Sequence, residues 1–380
     1  MLIGVPKEVF PEENRVALIP AGIQTLLNAG FEVVVQSGAG DQAHFSDDEY
    51  RNCGASIAPD AASLYGQVDI VLKIRQPLEQ ELPLLKEGTT LICMLDAWFN
   101  LPLVKELAER KVRSFALEFI PRSTRAQSMD VLSSMGAING YRAVLAGAMA
   151  LPQYFPMLMT AAGTIHPARV FIIGAGVAGL MAISTARRLG AVVEAYDTRV
   201  EVREQVESLG AKFVEFDLPQ EEGGATGGYA TQKSEEFYRM QREQMTAKVS
   251  QADLVITTAA IPGKQSPRLI TKEMLHFMKK GSVIVDLAAE RGGNVEGTVA
   301  NQKVYVDGVT IIGYIDHHSR VPVHASQLLT KNLSTFLLNM SKDGQLNVNM
   351  EDDIVAATLV TENGEIKHAG LKAIIEKEAV

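Results

Sequence analysis

The chain has 380 residues, of which 47% are hydrophobic and 21% are charged, and its formal net charge is −9. This length allows two domains with ordinary hydrophobic cores, and the composition excludes disordered, collagen-like and coiled-coil proteins. The negative balance provides no basic field that would attract phosphate backbones, so we do not expect nucleic acid as a partner.

Short β-branched runs alternate with amphipathic segments through the first 120 residues. We predict strands over residues 3–6, 31–36, 70–74, 90–95 and 112–120, and helices over 20–29 and 102–110. A βαβα order is typical of a largely parallel sheet covered by helices. The sequence therefore predicts an N-terminal α/β domain.

The connecting region over residues 126–159 is rich in Ser, Met and Ala and predicts a long helix. Residues 143–165 carry no charge and are numerous enough to cross a bilayer. Pro152 and Pro156 interrupt that stretch, and a spanning helix needs continuous internal hydrogen bonds. We therefore predict a buried helix followed by a turn.

A second alternating set of strands begins at Val170 and continues over residues 192–196, 212–216, 254–258, 283–287 and 309–315. Helical periodicity follows over 328–338, and residues 354–368 read as a hairpin with Asn363-Gly364 as its turn. We expect this tail to return to the first domain. The predicted fold class is α/β, with two Rossmann-like parallel-sheet domains and a nucleotide cleft between them. The N-terminal domain comprises 1–133 plus 316–380, and the NAD-binding Rossmann domain comprises 134–315.

The strongest motif is GAGVAG, which runs from Gly174 to Gly179 directly after an apolar strand and directly before a helical pattern. Gly174 permits a tight turn, Gly176 lets a pyrophosphate approach the backbone, and Gly179 permits close packing of helix on strand. The helix N-terminus adds amide donors and a positive dipole end. The motif therefore predicts a dinucleotide site that includes Val177 and Ala178.

Asp197 follows the next predicted strand, where a carboxylate accepts hydrogen bonds from the adenosine ribose and repels a 2′-phosphate. This favours NAD(H) over NADP(H), although Arg199 lies near enough to offer a phosphate partner. The other predicted cofactor contacts are Thr198, Thr258, Ala259 and Ala260.

The whole chain resembles the family of alanine dehydrogenases and of the NAD(H)-binding component (alpha subunit, domain I) of proton-translocating NAD(P) transhydrogenase. The shared features are the glycine motif and the segments 6–8, 14–17, 261–264 and 281–288. Alanine dehydrogenation needs an acid/base near its substrate because a proton moves with the hydride. In those enzymes a His stands where this chain has Asp96, an Asp where it has Glu290, and a Lys where it has Arg75.

The segment from Pro121 to Ser134 is instead similar to the transhydrogenase loop that holds the nicotinamide. The resemblance implies that Arg122, Gln127, Asp130 and Ser133, with Tyr141, approach the reacting end of the nucleotides. A carboxamide needs a donor and an acceptor to fix its ring, and direct hydride transfer between two nicotinamides needs no proton donor. The competing interpretation is that these polar residues only cap a helix.

The glycine-flanked segment with Gly228 and Tyr229 resembles the family's mobile loop, which closes over bound nucleotide. The resemblance also implies the partners: an NADP(H)-binding transhydrogenase component, an integral membrane proton-channel component and a second copy in a homodimer. The chain would be cytoplasmic, held at the cytoplasmic face of the inner membrane through these partners.

Three functional hypotheses remain open: a transhydrogenase subunit, an alanine dehydrogenase-like amino-acid oxidoreductase, and a non-catalytic NAD sensor. Two segments depart from the usual family sequence, at residues 135–139 and 316–318. The histidines near the second departure fit no standard ligand spacing, so we expect no metal site. Cys53 and Cys93 form no CxxC pair, which argues against a disulfide framework.

Overall fold

The computed structural model describes residues 1–217, 234–261 and 263–378. The chain forms two compact units: unit 1 is Met1–Ser134 with Ser319–Val380, and unit 2 is Met135–His318. Within the described ranges, no helix is long and apolar enough to cross a membrane, and no three His, Cys, Asp or Glu side chains could together hold a metal ion.

Unit 1 contains an eight-stranded sheet. Its strands, numbered along the whole chain, are β1 (Leu2–Val5), β2 (Glu32–Gln36), β3 (Ser56–Ala58), β4 (Ile70–Arg75), β5 (Thr90–Met94), β6 (Arg113–Ala116), β18 (Leu359–Glu362) and β19 (Glu365–Ile366). The spatial order is β3-β2-β1-β4-β5-β6-β18-β19, parallel from β3 to β6 and antiparallel in the last two strands. The C-terminal tail therefore extends the sheet of unit 1.

The helices of unit 1 are α1 (Pro20–Asn28), α2 (Asp47–Asn52), α3 (Ala61–Tyr65), α4 (Leu101–Glu109), α10 (Pro322–Asn339), α11 (Asp353–Thr358) and α12 (Ala369–Glu378). A small hairpin, β16 (Ser341–Lys342) and β17 (Gln345–Leu346), follows α10. Local sequence explains their ends: Ser46 and Glu49 form a capping box at α2, and Asn100 caps α4. Leu103, Val104 and Leu107 form the buried face of α4.

Unit 2 contains a seven-stranded sheet and a separate hairpin. Its strands are β7 (Leu158–Thr160), β8 (Gly163–Ile165), β9 (Arg169–Ile173), β10 (Val192–Tyr196), β11 (Lys212–Phe213), β12 (Leu254–Thr257), β13 (Val283–Asp286), β14 (Lys303–Val306) and β15 (Val309–Ile312). The order β11-β10-β9-β12-β13-β15-β14 is parallel except for β14. This is the doubly wound Rossmann order, in which ligands bind where the strand order reverses, here between β9 and β12.

The helices of unit 2 are α6 (Val177–Arg188), α7 (Arg203–Ser208), α8 (Glu235–Gln251) and α9 (Lys272–His276), together with most of α5 (Val131–Ala150), which begins in unit 1. Both faces of the sheet are buried. Val170 and Ile172 of β9 join one apolar cluster, and Phe171 and Ile173 join the other. Helices on both faces explain why this strand reads as a continuous apolar run.

Three sequence expectations need correction. The hairpin expected over residues 354–368 is shorter, because residues 353–358 form helix α11 and only β18 and β19 form the hairpin. The charge-free stretch 143–165 is helical only to Ala150, and its second half is the β7–β8 hairpin, in which Met159 is 72% exposed. The spacing of apolar residues along the sequence shows where they occur but does not distinguish a core residue from an exposed one. The strand predicted over 112–120 ends at Ala116, where the chain enters a short 3₁₀ helix, Leu117–Phe119.

Helix α5 approaches the first turn of α6 very closely. Gly136 and Gly140 are four residues apart and so lie on one face of α5. A Cβ at Gly140 would lie 2.0 Å from the carbonyl oxygen of Ala178, whereas one at Gly136 would meet its nearest atom at 3.8 Å. Only glycine fits at position 140, because the two backbones are in contact there.

We expect Gly140→Ala to lower the unfolding free energy by about 1–3 kcal/mol, the usual cost of overpacking. The matched control is Gly136→Ala, which meets only ordinary contacts and gains about 0.5–1 kcal/mol of helix propensity. Thermal and urea unfolding of both variants measure the difference. Equal stability of the two variants would contradict the close approach.

Candidate functional site

The glycine motif forms the turn between β9 and α6. Gly174 has φ of +99°, and a Cβ there would lie 2.3 Å from Thr258 Oγ1. A Cβ at Gly179 would lie 1.9 Å from the Gly174 carbonyl oxygen, so the helix packs directly on the turn. At Gly176, by contrast, an added Cβ meets no described atom within 4 Å. The middle glycine therefore borders open space at the start of the helix.

The N-terminus of α6 faces that space with backbone donors. The first helical hydrogen bond runs from the Leu180 amide to the Gly176 carbonyl at 2.8 Å. The amides of Val177, Ala178 and Gly179 precede it, where a helix leaves its N–H groups without internal partners. Such an end binds anions, since the amides and the helix dipole both favour negative charge.

Asp197 lies just past β10 and is 9% exposed. Its carboxylate accepts from the Ala175 amide at 2.7 Å and, at 2.9 Å each, from the Arg199 amide, Nε and Nη2. The carboxylate in turn raises the pKa of the Arg199 guanidinium. Four donors match the acceptor capacity of a carboxylate, so a ribose diol would have to replace contacts made by Arg199.

The segment after β12 is held by Thr258 and by Asn294. The sequence predicted Thr258 as a cofactor contact and did not single out Asn294. Thr258 donates its amide to the Ile173 carbonyl at 2.8 Å and its hydroxyl to the Gly174 carbonyl at 3.2 Å. Asn294 accepts from the Ala259 amide at 3.0 Å and donates to the Ala259 carbonyl at 2.9 Å. Ala260 is exposed beyond this anchor. The only sequence signal for Asn294 is the preceding glycine pair at 292–293.

Buried Asp286 at the end of β13 organises the same region. It accepts from Thr257 Oγ1 at 3.0 Å, from the Val295 amide at 3.1 Å and from Thr298 Oγ1 at 2.7 Å. Gly293 has φ of +79°, and a Cβ there would lie 2.5 Å from Asp286 Oδ2. This carboxylate therefore fixes the loop that carries Asn294.

In unit 1, the segment predicted to hold the nicotinamide ends at the start of α5. Asp130 caps that helix: Oδ1 accepts from the Ser133 amide at 2.9 Å, and Oδ2 accepts from the Ser133 hydroxyl at 2.6 Å. Arg122 and Gln127 are exposed, and Tyr141, on the stretch of α5 in unit 2, is 42% exposed. The structure thus brings Asp130 and Ser133 together as a cap, with Arg122 and Gln127 on the segment that precedes it.

Another charged cluster of unit 1 involves Arg15, whose side chain is fully buried. Its Nε donates to Glu13 Oε1 at 2.6 Å and its Nη2 to Glu13 Oε2 at 2.5 Å, and Arg75 Nε lies 3.4 Å from the same carboxylate. Burial opposes ionisation of Glu13, but the charges of Arg15 and Arg75 and the hydrogen bonds from Arg15 outweigh it and lower the pKa of Glu13. Arg15 therefore already holds a carboxylate of its own chain.

Asp96 has φ of +54°, a left-handed conformation that is rare for a non-glycine residue. The Glu118 carboxylate accepts from the amides on either side of it, Leu95 at 3.1 Å and Ala97 at 3.0 Å. Burial raises the pKa of Glu118 to about 7. This carboxyl group holds the turn that presents Asp96.

The two segments that depart from the family sequence contact each other. His318 Nδ1 and Asn139 Oδ1 are 3.0 Å apart, both within unit 2. The two departing segments therefore share a side-chain contact. Gly228 and Tyr229, assigned to a mobile loop, lie outside the described residues.

Comparison with known proteins gives consistent matches along the chain. Residues 4–139 match the family described as "Alanine dehydrogenase/PNT, N-terminal domain", and residues 143–369 match "Alanine dehydrogenase/PNT, C-terminal domain". A Rhodospirillum rubrum protein, named as a portion of NAD(P) transhydrogenase subunit alpha, is 47% identical over 98% of this chain and 99% of its own length. A Halomonas elongata alanine dehydrogenase is 31% identical over 97% and 95%. A solved transhydrogenase from Sinorhizobium meliloti superposes with a TM-score of 0.87 at 43% identity, covering 96% of this chain and 100% of that chain.

We expect Asp197→Ala to weaken NADH binding by about 1–2 kcal/mol, the scale of a lost charge-assisted hydrogen bond. Glu194→Gln is the control, since Glu194 lies on β10, the strand that precedes Asp197, and pairs with Lys248 at 3.0 Å. Isothermal titration of both variants with NADH and NADPH measures the effect. Equal affinity of the unmodified chain for NADH and NADPH would contradict the role of Asp197.

Proposed function

The chain belongs to the alanine dehydrogenase/PNT family, and we propose that it is the NAD(H)-binding subunit of a proton-translocating NAD(P) transhydrogenase. NADH is its substrate, and hydride passes directly to NADP⁺ held by a partner component. The observation that carries this proposal is the extent of similarity: 47% identity to a transhydrogenase subunit over nearly the full length of both chains, against 31% to an alanine dehydrogenase.

The residues of unit 2 fit a dinucleotide. The open space beside Gly176 lies against the first amides of α6, where a pyrophosphate can accept hydrogen bonds without meeting a side chain. Asp197 lies past the neighbouring strand, where the acid of such sites binds the ribose. A ribose hydroxyl there would replace some of the Arg199 contacts, and the negative charge of Asp197 would disfavour a 2′-phosphate.

The side chains that differ between the transhydrogenases and the alanine dehydrogenases of this family favour hydride transfer without proton transfer. Arg15 lies in a segment that both branches of the family share, so its pairing with Glu13 does not distinguish them. At the position of the alanine dehydrogenase His this chain has Asp96, held in a left-handed turn. Direct transfer between two nicotinamides requires no acid or base in the step, so positioning supplies the catalysis.

In this mechanism the segment from Pro121 to Ser134 of unit 1, here called the nicotinamide segment, orients the reacting ring. Gln127 offers both a donor and an acceptor to a carboxamide, and Arg122 offers a charged donor to a ribose or phosphate oxygen. Asp130 and Ser133 cap α5, and the charged Asp130 carboxylate also approaches the reacting end of the nucleotides, as the family resemblance implies. Each residue binds or orients, and none needs to exchange a proton.

Asp130→Asn separates orientation from capping, because Asn caps helices about as well as Asp but carries no charge. We expect a similar melting temperature and a hydride transfer rate lowered on the order of 10- to 100-fold, since small misplacements of the reacting atoms are costly. Asp130→Ala is the companion variant and should lose stability as well. Stopped-flow transfer measured beside thermal unfolding checks this. A normal single-turnover rate in Asp130→Asn would leave Asp130 with only its capping role.

The proposed subunit works with an NADP(H)-binding component and an integral membrane proton-channel component. It would therefore lie peripherally on the cytoplasmic face of the inner membrane, held by these partners. The transhydrogenase relatives are named as alpha subunits, which supports an assembly of several subunits. Coupling to proton movement would belong to the membrane component.

A homodimer also belongs to the proposal, and the β7–β8 hairpin supports it. Tyr154, Met157 and Met159 are 53%, 60% and 72% exposed, and among described strands β7 and β8 pair only with each other. A two-stranded hairpin is marginal by itself, and monomers rarely expose contiguous apolar surface. Residues 143–165 carry no charge, so two copies can meet there without repulsion, as a two-fold interface requires.

We expect Met159→Glu to shift the chain from dimer to monomer, because a two-fold contact places two like charges together. Tyr305→Glu is the control, since Tyr305 is 73% exposed on β14, away from the hairpin in sequence. Analytical ultracentrifugation across a concentration series measures both variants. An unmodified chain that sediments as a monomer at all concentrations would rule out the dimer.

The function itself is tested by mixing the chain with an NADP(H)-binding transhydrogenase component, NADH and NADP⁺. We expect NADPH to form only when both proteins are present. Turnover of alanine or pyruvate by the chain alone would instead support an amino-acid dehydrogenase. NADH binding without either activity would support a sensor.

A further inference from the structure

Arg125 lies in the middle of the nicotinamide segment and ties it to a distant region of unit 1. Its Nη1 donates to Asp352 Oδ2 at 2.6 Å and its Nη2 to Asp352 Oδ1 at 2.8 Å, which is the bidentate geometry of the strongest ion pairs. Nη2 also donates to Asp353, and Nη1 lies 3.4 Å from Asn339 Oδ1. One guanidinium therefore contacts three side chains, one at the last residue of α10 and two at the start of α11.

Asp352 is itself fixed. Its Oδ1 accepts from the amides of Ile354 at 2.9 Å and Val355 at 3.3 Å, so it caps α11. Asn339 Nδ2 donates to its Oδ2 at 3.3 Å. The hydrogen bonds from Arg125 hold the pKa of Asp352 well below its usual range, so the pair stays charged at neutral pH. Arg125 is thus anchored to a helix end rather than to a mobile side chain.

The residues that follow Arg125 in the same segment are held by burial and by a hydrogen bond from α10. Ala126 is fully buried and Met129 is 4% exposed. Asn332 of α10 donates to the Ser128 carbonyl at 2.9 Å. Arg122 and Gln127 are exposed, and the Arg125 side chain is itself 49% exposed while it holds its partners. The segment therefore combines residues anchored to the rest of unit 1, among them Arg125, with exposed residues that are the proposed nucleotide contacts.

We propose that Arg125, clamped by Asp352, is a positioning residue for hydride transfer: it sets where the segment holds Arg122 and Gln127. This rests on the proposed function of the segment. Arg125 and the buried Ala126 lie between Arg122 and Gln127 along the chain, so a shift of Arg125 also moves these two neighbours. Because reacting carbons must approach to about 3–3.5 Å, a small shift is enough to slow transfer.

The chemistry requires arginine rather than any cation. A lysine has one charged nitrogen and cannot make two parallel bonds to Asp352 while also reaching Asp353 and Asn339. Arg125→Lys keeps the positive charge but loses the pair of parallel hydrogen bonds to Asp352. Asp352→Asn keeps the cap of α11, since Asn caps well, and loses the ion pair.

The test compares Arg125→Ala, Arg125→Lys and Asp352→Asn with a control, Arg113→Ala. Arg113 Nε pairs with Glu362 Oε1 at 2.7 Å, so this ion pair also joins the N-terminal part of unit 1 to its C-terminal part. Arg113 is the first residue of β6, whereas the nicotinamide segment follows the other end of that strand. We expect all three clamp variants to slow single-turnover transfer about 10- to 100-fold. The adenosine end still anchors the nucleotide, so the Kd for NADH should change by no more than about 3-fold. Arg113→Ala should lose comparable stability and keep its rate.

Amide hydrogen exchange provides a second readout that does not depend on activity. The amides of Ala126 and Met129 are hydrogen-bonded within the segment, at 3.1 Å and 2.8 Å. Their protection should fall in the clamp variants and persist in Arg113→Ala. Unchanged protection and an unchanged transfer rate in Arg125→Ala would overturn the proposal. If the unmodified chain transfers no hydride at all, the proposed function fails, and exchange alone then decides whether Arg125 positions the segment.

Discussion

The nucleotide-binding unit depends on close backbone packing around the first turn of α6. Gly179 rests on the Gly174 carbonyl, Gly140 of α5 rests on the Ala178 carbonyl, and Thr258 closes the turn from β12. These contacts leave no room for Cβ atoms, so the amide-bearing helix end is held from several sides while the space at Gly176 stays open. A rigid cradle of this kind binds a pyrophosphate with little reorganisation, which keeps the cost of binding low.

Polar groups in both units are mostly used to hold backbone in place. Asp286 and Asn294 fix the end of β12 and its neighbouring loop, Asp197 holds the Ala175 amide, and Asp130 caps α5. A site arranged in this way supplies fixed donors and acceptors rather than a group that titrates during the reaction. That suits a transfer between two nicotinamides, where geometry sets the rate.

Local patterns predicted much of this molecule. The glycine motif needs only the strand before it and the helix after it, and the parallel order of both sheets follows from alternating strands and helices. Long-range contacts could not be predicted: Asp352 is 227 residues beyond Arg125, and Asn294 is 35 residues beyond Ala259. The β7–β8 hairpin was missed because its apolar side chains read as core, although they are exposed. Hydrophobicity along a chain does not reveal which apolar residues the fold covers.

The central claim is that hydride passes directly from NADH to NADP⁺ without a proton donor from this chain. The most direct measurement uses NADH deuterated at the transferred C4 position, mixed with NADP⁺, the chain and an NADP(H)-binding component in ordinary water. We expect the NADPH formed to carry the deuterium in full. NADPH that forms without the deuterium, with the label lost to solvent, would contradict direct transfer.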